Sequence, residues 1–76
     1  MKKNEIGTMK LGEIREVQSE ERIGSYRIGS IWLTKWTPTG EYRIMGLCRD
    51  DSGNAYGWTV LFGGTLKEAR AYARAF

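Results

Sequence analysis

SIWLTKW, residues 30–36, sets Trp32 and Trp36 on one side of any strand it forms, and Ile31 and Leu33 on the other. A strand in a small antiparallel sheet normally buries one face and leaves the other to water. Both sides are apolar here. Which pair faces the core therefore decides the fold, and it also decides which surface is left over for function.

The heptad belongs to a longer strand-like run, YRIGSIWLTKW (26–36), ended by TPTG, where Pro38 and Gly40 make a turn. EYRIMGLCR (41–49) follows and ends in DDSGN, with Asp, Gly and Asn in their usual turn roles. AYGWTVLF (55–62) is the third run. Connections this short predict an antiparallel meander. Then Gly63-Gly64 break the pattern, and Thr65 with Glu68 three residues later forms a capping box: the Thr hydroxyl accepts from the Glu68 amide and the Glu carboxylate from the Thr amide. Leu66, Ala69, Ala73 and Phe76 recur at helical spacing, with Tyr72 at the stripe's edge, so a helix is expected over 65–75. Residues 1–25 fit neither period cleanly. Met9, Leu11, Ile14 and Val17 read as an edge strand broken at Gly12 or as a short helix, and QSEER (18–22) as an acidic turn. The expected fold class is α+β within a single domain, 1–76: a three- to four-stranded antiparallel meander with one C-terminal helix on one face, β-β-β-α with a possible N-terminal strand.

Counted by twos without a bulge, the even positions gather nearly every strand aromatic: Tyr26, Trp32, Trp36, Tyr42, Tyr56, Trp58 and Phe62, with Ile28, Ile44, Cys48 and Val60. An aromatic ring buries about 150–250 Å², and a helix with Ala69 and Ala73 inward leaves room for such rings. On this count the even side is the core. The odd side then carries Ile31, Leu33, Met45, Leu47 and Leu61 at its centre, ringed by Arg27, Lys35, Arg43 and Arg49 with one acid, Glu41. A solvated face would not hold five aliphatic residues at its centre, so three covers are open: the N-terminal segment, a second copy of the chain, or another partner. A single bulge in the strand would exchange the two sets of residues.

Composition narrows the function classes. Cys48 is the only cysteine and histidine is absent, which removes an internal disulfide, the usual general base and the Ser-His and Cys-His nucleophile pairs. No catalytic constellation, metal ligand set or cofactor loop is visible: RDDSGN (49–54) reads as a turn, and FGGT (62–65) lacks the Gly-Lys pattern of a phosphate loop. The single cysteine points to a reducing cytoplasm, and no apolar run comes near the ~20 residues a membrane span needs; a cytoplasmic protein away from the membrane is expected, as monomer or homodimer. Net charge is +3, from twelve Lys and Arg against nine Asp and Glu, compatible with nucleic acid. Lys67, Arg70 and Arg74 form a basic helix stripe, which is either a solvated face or a secondary contact.

The order of three strands and a helix, closing in YGWTVLFGGTLKEARAYARAF (56–76), resembles the DNA-binding domain of ethylene-response transcription factors and the arm-binding domain of phage integrases. That resemblance implies an open sheet face lying in a DNA groove, with Arg27, Lys35, Arg43 and Arg49 in the contacting positions. The third strand departs from the family's pattern, since Ala55, Gly57, Thr59 and Leu61 would face the groove without a Lys or Arg. In general character the chain is also similar to small phage and mobile-element proteins of anti-CRISPR type, which implies a non-enzymatic inhibitor that occludes a host defence protein or nucleoprotein complex. The expected partner-binding residues are Arg27, Ile31, Leu33, Lys35, Arg43, Met45, Leu47 and Arg49. The alternative expectation is a small DNA-binding module that uses the open sheet face.

Overall fold

Three long strands form wherever the sequence alternates between turn signals. In the computed structural model, which describes residues 8–18 and 22–76, these are β3 (Tyr26–Trp36), β4 (Glu41–Arg49) and β5 (Ala55–Gly64). Two short strands, β1 (Ile14–Glu16) and β2 (Arg22–Ile23), pair one after the other with β3, and the main path of the sheet is β1-β3-β4-β5, antiparallel throughout. The helix α1 (Leu66–Arg74) packs on one side. This is the α+β meander with a C-terminal helix that the sequence implies, with its N-terminal strand present. Most of the expected acidic turn at 18–22, and residues 1–7, lie outside the described residues.

The local signals act as their chemistry suggests. Thr65 caps α1 with both arms of the capping box: its Oγ1 accepts from the Glu68 amide at 3.1 Å, and its own amide donates to Glu68 Oε1 at 3.0 Å. In the β3–β4 turn the Gly40 amide donates to the Trp36 carbonyl at 2.8 Å. In the β4–β5 loop Asp50 Oδ1 accepts from the Ser52 and Asn54 amides, each at 2.9 Å.

The two faces of the sheet differ from the no-bulge count, and the cause is one residue. Ile28 lies opposite Cys48 and Ser30 opposite Leu47, so Gly29 is an extra residue in β3. A bulge of this kind reverses the parity of everything beyond it. Ile28 and Ile31 therefore both face the helix, with Leu33 following, while Trp32 and Trp36 turn to the opposite side. Glycine fits here because a Cβ at position 29 would sit 2.7 Å from Cδ and 2.8 Å from Nε of Arg49, whose side chain lies across the bulge.

β5 carries two further irregularities, at Tyr56 and Leu61, again residues without a β4 partner. They leave Trp58 opposite Leu47 and Val60 opposite Met45, on the side away from the helix, while Phe62 stays on the helix side opposite Ile44. Leu61 packs against the core above Gly46, where a Cβ would come within 2.8 Å of its Cδ1.

The core is consequently aliphatic. Ile28, Ile31, Leu33 and Ile44 pack with Ala69, Ala73 and Met9 at the helix–sheet interface. Each fully buried large side chain contributes roughly 1.5–3 kcal/mol. The two alanines seat α1 low on the sheet, and the space expected for rings is taken by branched aliphatics and by Met9. The N-terminal segment thus closes the helix side. Arg70 Nε ties it down by donating to the Met9 carbonyl at 3.0 Å.

Candidate functional site

The face opposite the helix is uncovered among the described residues. Of the apolar residues of the N-terminal segment, one of the three covers left open, Met9 is in the core, Val17 packs against that core, and Leu11 and Ile23 are exposed. Ile14 lies opposite Trp32 and extends the face, itself 56% exposed.

Cross-strand register gives the layout of this face. One row runs Ile14–Trp32–Met45–Val60 across β1, β3, β4 and β5, and the next runs Glu16–Ser30–Leu47–Trp58. The Trp32 and Trp58 rings meet edge to face, with centroids 5.5 Å apart. Trp36 is 46% exposed and Trp58 37%. Towards the β3–β4 turn the Arg43 guanidinium lies over the Trp36 ring at 4.7 Å, a cation–π contact. Arg43 Nη2 also donates to Glu41 Oε1 at 3.4 Å, while its buried Nε has no hydrogen-bond partner among the described residues.

At the other end Arg22, Arg27 and Arg49 stand directly opposite one another on β2, β3 and β4. Like charges facing each other across a sheet are destabilising. Arg22 is balanced by Asp51 Oδ1 at 2.9 Å, and Arg49 Nη1 donates to the Gly53 carbonyl at 2.9 Å. Arg27 has neither kind of contact among the described residues. A groove of about 700 Å³ opens beside this ladder, lined in part by Glu16, Gln18, Arg27, Gly29 and Arg49. Close by, the Tyr26 and Tyr56 rings pack at 5.1 Å. Asp50, held below the usual carboxylate range chiefly by the Asn54 amide, pushes the Tyr56 hydroxyl pKa upward through its charge.

Five of the eight residues expected to bind a partner do lie on the open face: Arg27, Arg43, Met45, Leu47 and Arg49. Ile31 and Leu33 do not. They are 2% and 0% exposed beneath the helix, and the Gly29 bulge is the reason. Lys35 is displaced with them: opposite Tyr42 on the helix side, its Nζ sits 5.4 Å over that ring. Lys67, Arg70 and Arg74 belong to the helix layer, away from the open face, and Arg70 is engaged by Met9. The residues that period-two counting missed on this face are Trp32, Trp36, Trp58, Val60, Ile14 and Arg22. Glycine inside a strand-like run, as at Gly29, was the available signal.

The face offers indole π surfaces, indole N–H donors and guanidinium groups, which are the parts of a recognition surface. Among the described residues no three His, Cys, Asp or Glu side chains gather where they could hold a metal, and no helix is long and apolar enough to cross a membrane. Comparison with protein-family models, with curated proteins and with solved structures finds no match to this chain.

Proposed function

We propose that this protein is a non-catalytic binding module that holds nucleic acid on the open face of its sheet. One observation carries the reading: three tryptophans and the arginines Arg27, Arg43 and Arg49 share a single uncovered face. The bulges of the third strand turn Trp58 and Val60 outward in place of Thr59 and Leu61, so that strand still offers no Lys or Arg and contributes an indole instead. Phosphate contacts would supply most of the affinity and make it salt-dependent. Three phosphates neutralised by Arg27, Arg43 and Arg49 imply a slope of about −2 to −3 in log K against log salt, so raising salt from about 50 to about 200 mM weakens binding roughly 20- to 40-fold. Fluorescence anisotropy with labelled single-stranded and duplex oligonucleotides tests this. A lack of any binding at low salt would remove the reading.

A second reading keeps the inhibitor expected from the sequence, a small phage-type protein that occludes a host defence protein or nucleoprotein complex. Its support is the apolar share of the same face: Ile14 and Val60 at 56% and 47% exposure, with Met45 and Leu47 between the strands' tryptophans. Apolar centres with charged rims suit protein partners. Affinity capture with and without nuclease separates the two readings: a protein captured through nuclease treatment favours occlusion, and loss on nuclease favours nucleic-acid binding.

A further inference from the structure

We infer that the open face is built for single-stranded nucleic acid, with unpaired bases laid on its tryptophans, in preference to a duplex. The inference rests on the nucleic-acid reading above and names the form of the ligand. Three features of the face support it. The first is width. Neighbouring strands lie about 4.8 Å apart, so the four-strand path β1-β3-β4-β5 measures roughly 14 Å between its outer backbones. The major groove of a duplex is only about 12 Å wide. The edge strand β1, paired with β3 from Ile14 opposite Trp32 to Glu16 opposite Ser30, makes the sheet too broad there to enter.

The second feature is chemistry at the centre. Base edges in a groove are read by hydrogen-bonding side chains. The two central rows offer Ile14, Met45, Leu47, Val60 and the rings of Trp32 and Trp58; their Ser30 is buried, leaving Glu16 at the β1 edge as the other polar side chain. Apolar and aromatic surface of this kind suits the flat faces of unstacked bases, which every base has whatever its sequence.

The third is the placement of charge. Arg43 stands opposite Thr34 near one end of β3 and Arg49 opposite Arg27 near the other. At about 3.3 Å per residue, the six steps from Arg43 to Arg49 along β4, which has no extra residue, span roughly 20 Å. That is the length of about six nucleotides stacked at ~3.4 Å. A single strand running along β3 and β4 would meet guanidinium groups at each end and stack on Trp32 and Trp58 between them, with Trp36 two residues beyond the level of Arg43, opposite Glu41.

The test is anisotropy with a labelled oligonucleotide of about 10 nucleotides, long enough to cover that run, measured single-stranded and annealed to its complement, at low salt. Indole fluorescence is followed in parallel. The single strand is expected to bind at least about tenfold tighter and to quench tryptophan emission. Trp58→Ala and Trp36→Ala should each weaken it by roughly fivefold or more, while Trp58→Phe, which keeps a stacking ring, retains most of the affinity. Circular dichroism on each variant confirms that the sheet is intact. Equal or tighter binding of the duplex overturns this inference and leaves the nucleic-acid reading standing, whereas binding of neither form overturns both. Single-strand binding unchanged in folded Trp58→Ala and Trp36→Ala shows that the rings are not the platform, and overturns it as well.

Discussion

Truncating Leu33 and Trp36 separately asks which side of β3 is the core. Leu33 is fully buried, among Ile31, Ile44, Ala69 and Met9. Leu33→Ala removes buried methyl and methylene groups and leaves a cavity, a loss of about 2–5 kcal/mol. A domain of 76 residues has a total stability of about 4–11 kcal/mol at ~0.05–0.15 kcal/mol per residue. The substitution therefore removes a large part of the margin. Trp36 is the bulkier residue, but it is 46% exposed and its contact is the Arg43 guanidinium. Trp36→Ala should cost at most about 1 kcal/mol. Urea denaturation followed by circular dichroism resolves the difference. With a slope of about 1 kcal/mol per molar urea for so small a domain, Leu33→Ala lowers the midpoint by about 2 M or more and Trp36→Ala by about 1 M or less. A larger loss for Trp36→Ala than for Leu33→Ala would refute the bulge at Gly29 and return the tryptophans to the core.

Three further outcomes follow from the packing and the loops. Met9→Ala should destabilise by about 2–5 kcal/mol in the same denaturation assay, as expected for a buried methionine; a change below about 0.5 kcal/mol would detach residues 8–13 from the core. Thr65→Ala removes a capping-box hydroxyl and should cost about 0.5–2 kcal/mol, with helical signal lost first at the start of α1. Because Asp50 titrates below its ordinary value of 3.8, its support for the 50–54 loop is complete above that value and is lost as the pH falls through the lower folded value. The Ser52 and Asn54 amide resonances should therefore hold steady down to about pH 4 and move only in stronger acid; a transition centred above pH 5 would contradict the hydrogen bonds assigned to Asp50.

Much of this architecture is legible in the sequence because turn and cap chemistry is local. TPTG, DDSGN and the Thr65–Glu68 box each depend on residues within four positions, and each forms as its residues dictate. The faces of β4 are legible too: Ile44 and Cys48 point inward and Arg43, Met45 and Leu47 outward, since β4 itself contains no extra residue. β3 and β5 are different. Parity is carried along a strand by counting, so one inserted residue transfers every later side chain to the other face. Gly29 is the insertion in β3, yet Gly46, also in mid-strand, pairs in register with both Ile31 and Thr59. A glycine in a strand-like run therefore signals a possible irregularity without saying whether one is present. What separates the two is tertiary: Gly29 makes way for the Arg49 side chain and Gly46 for Leu61 and Ile28. The same long-range packing places Met9 beneath the helix, and its neighbours in sequence give no hint of that.

The open tryptophan face as the site of nucleic-acid binding is tested most directly by two-dimensional NMR of the ¹⁵N-labelled protein titrated with a short single-stranded oligonucleotide. The indole Nε1–H resonances of Trp32, Trp36 and Trp58 and the Nε–H resonances of Arg27, Arg43 and Arg49 should shift together and saturably, while the backbone amides of Lys67 and Arg74 on the far side stay in place. Shifts confined to the helix, or no saturable shift at any of the three indoles, would contradict it.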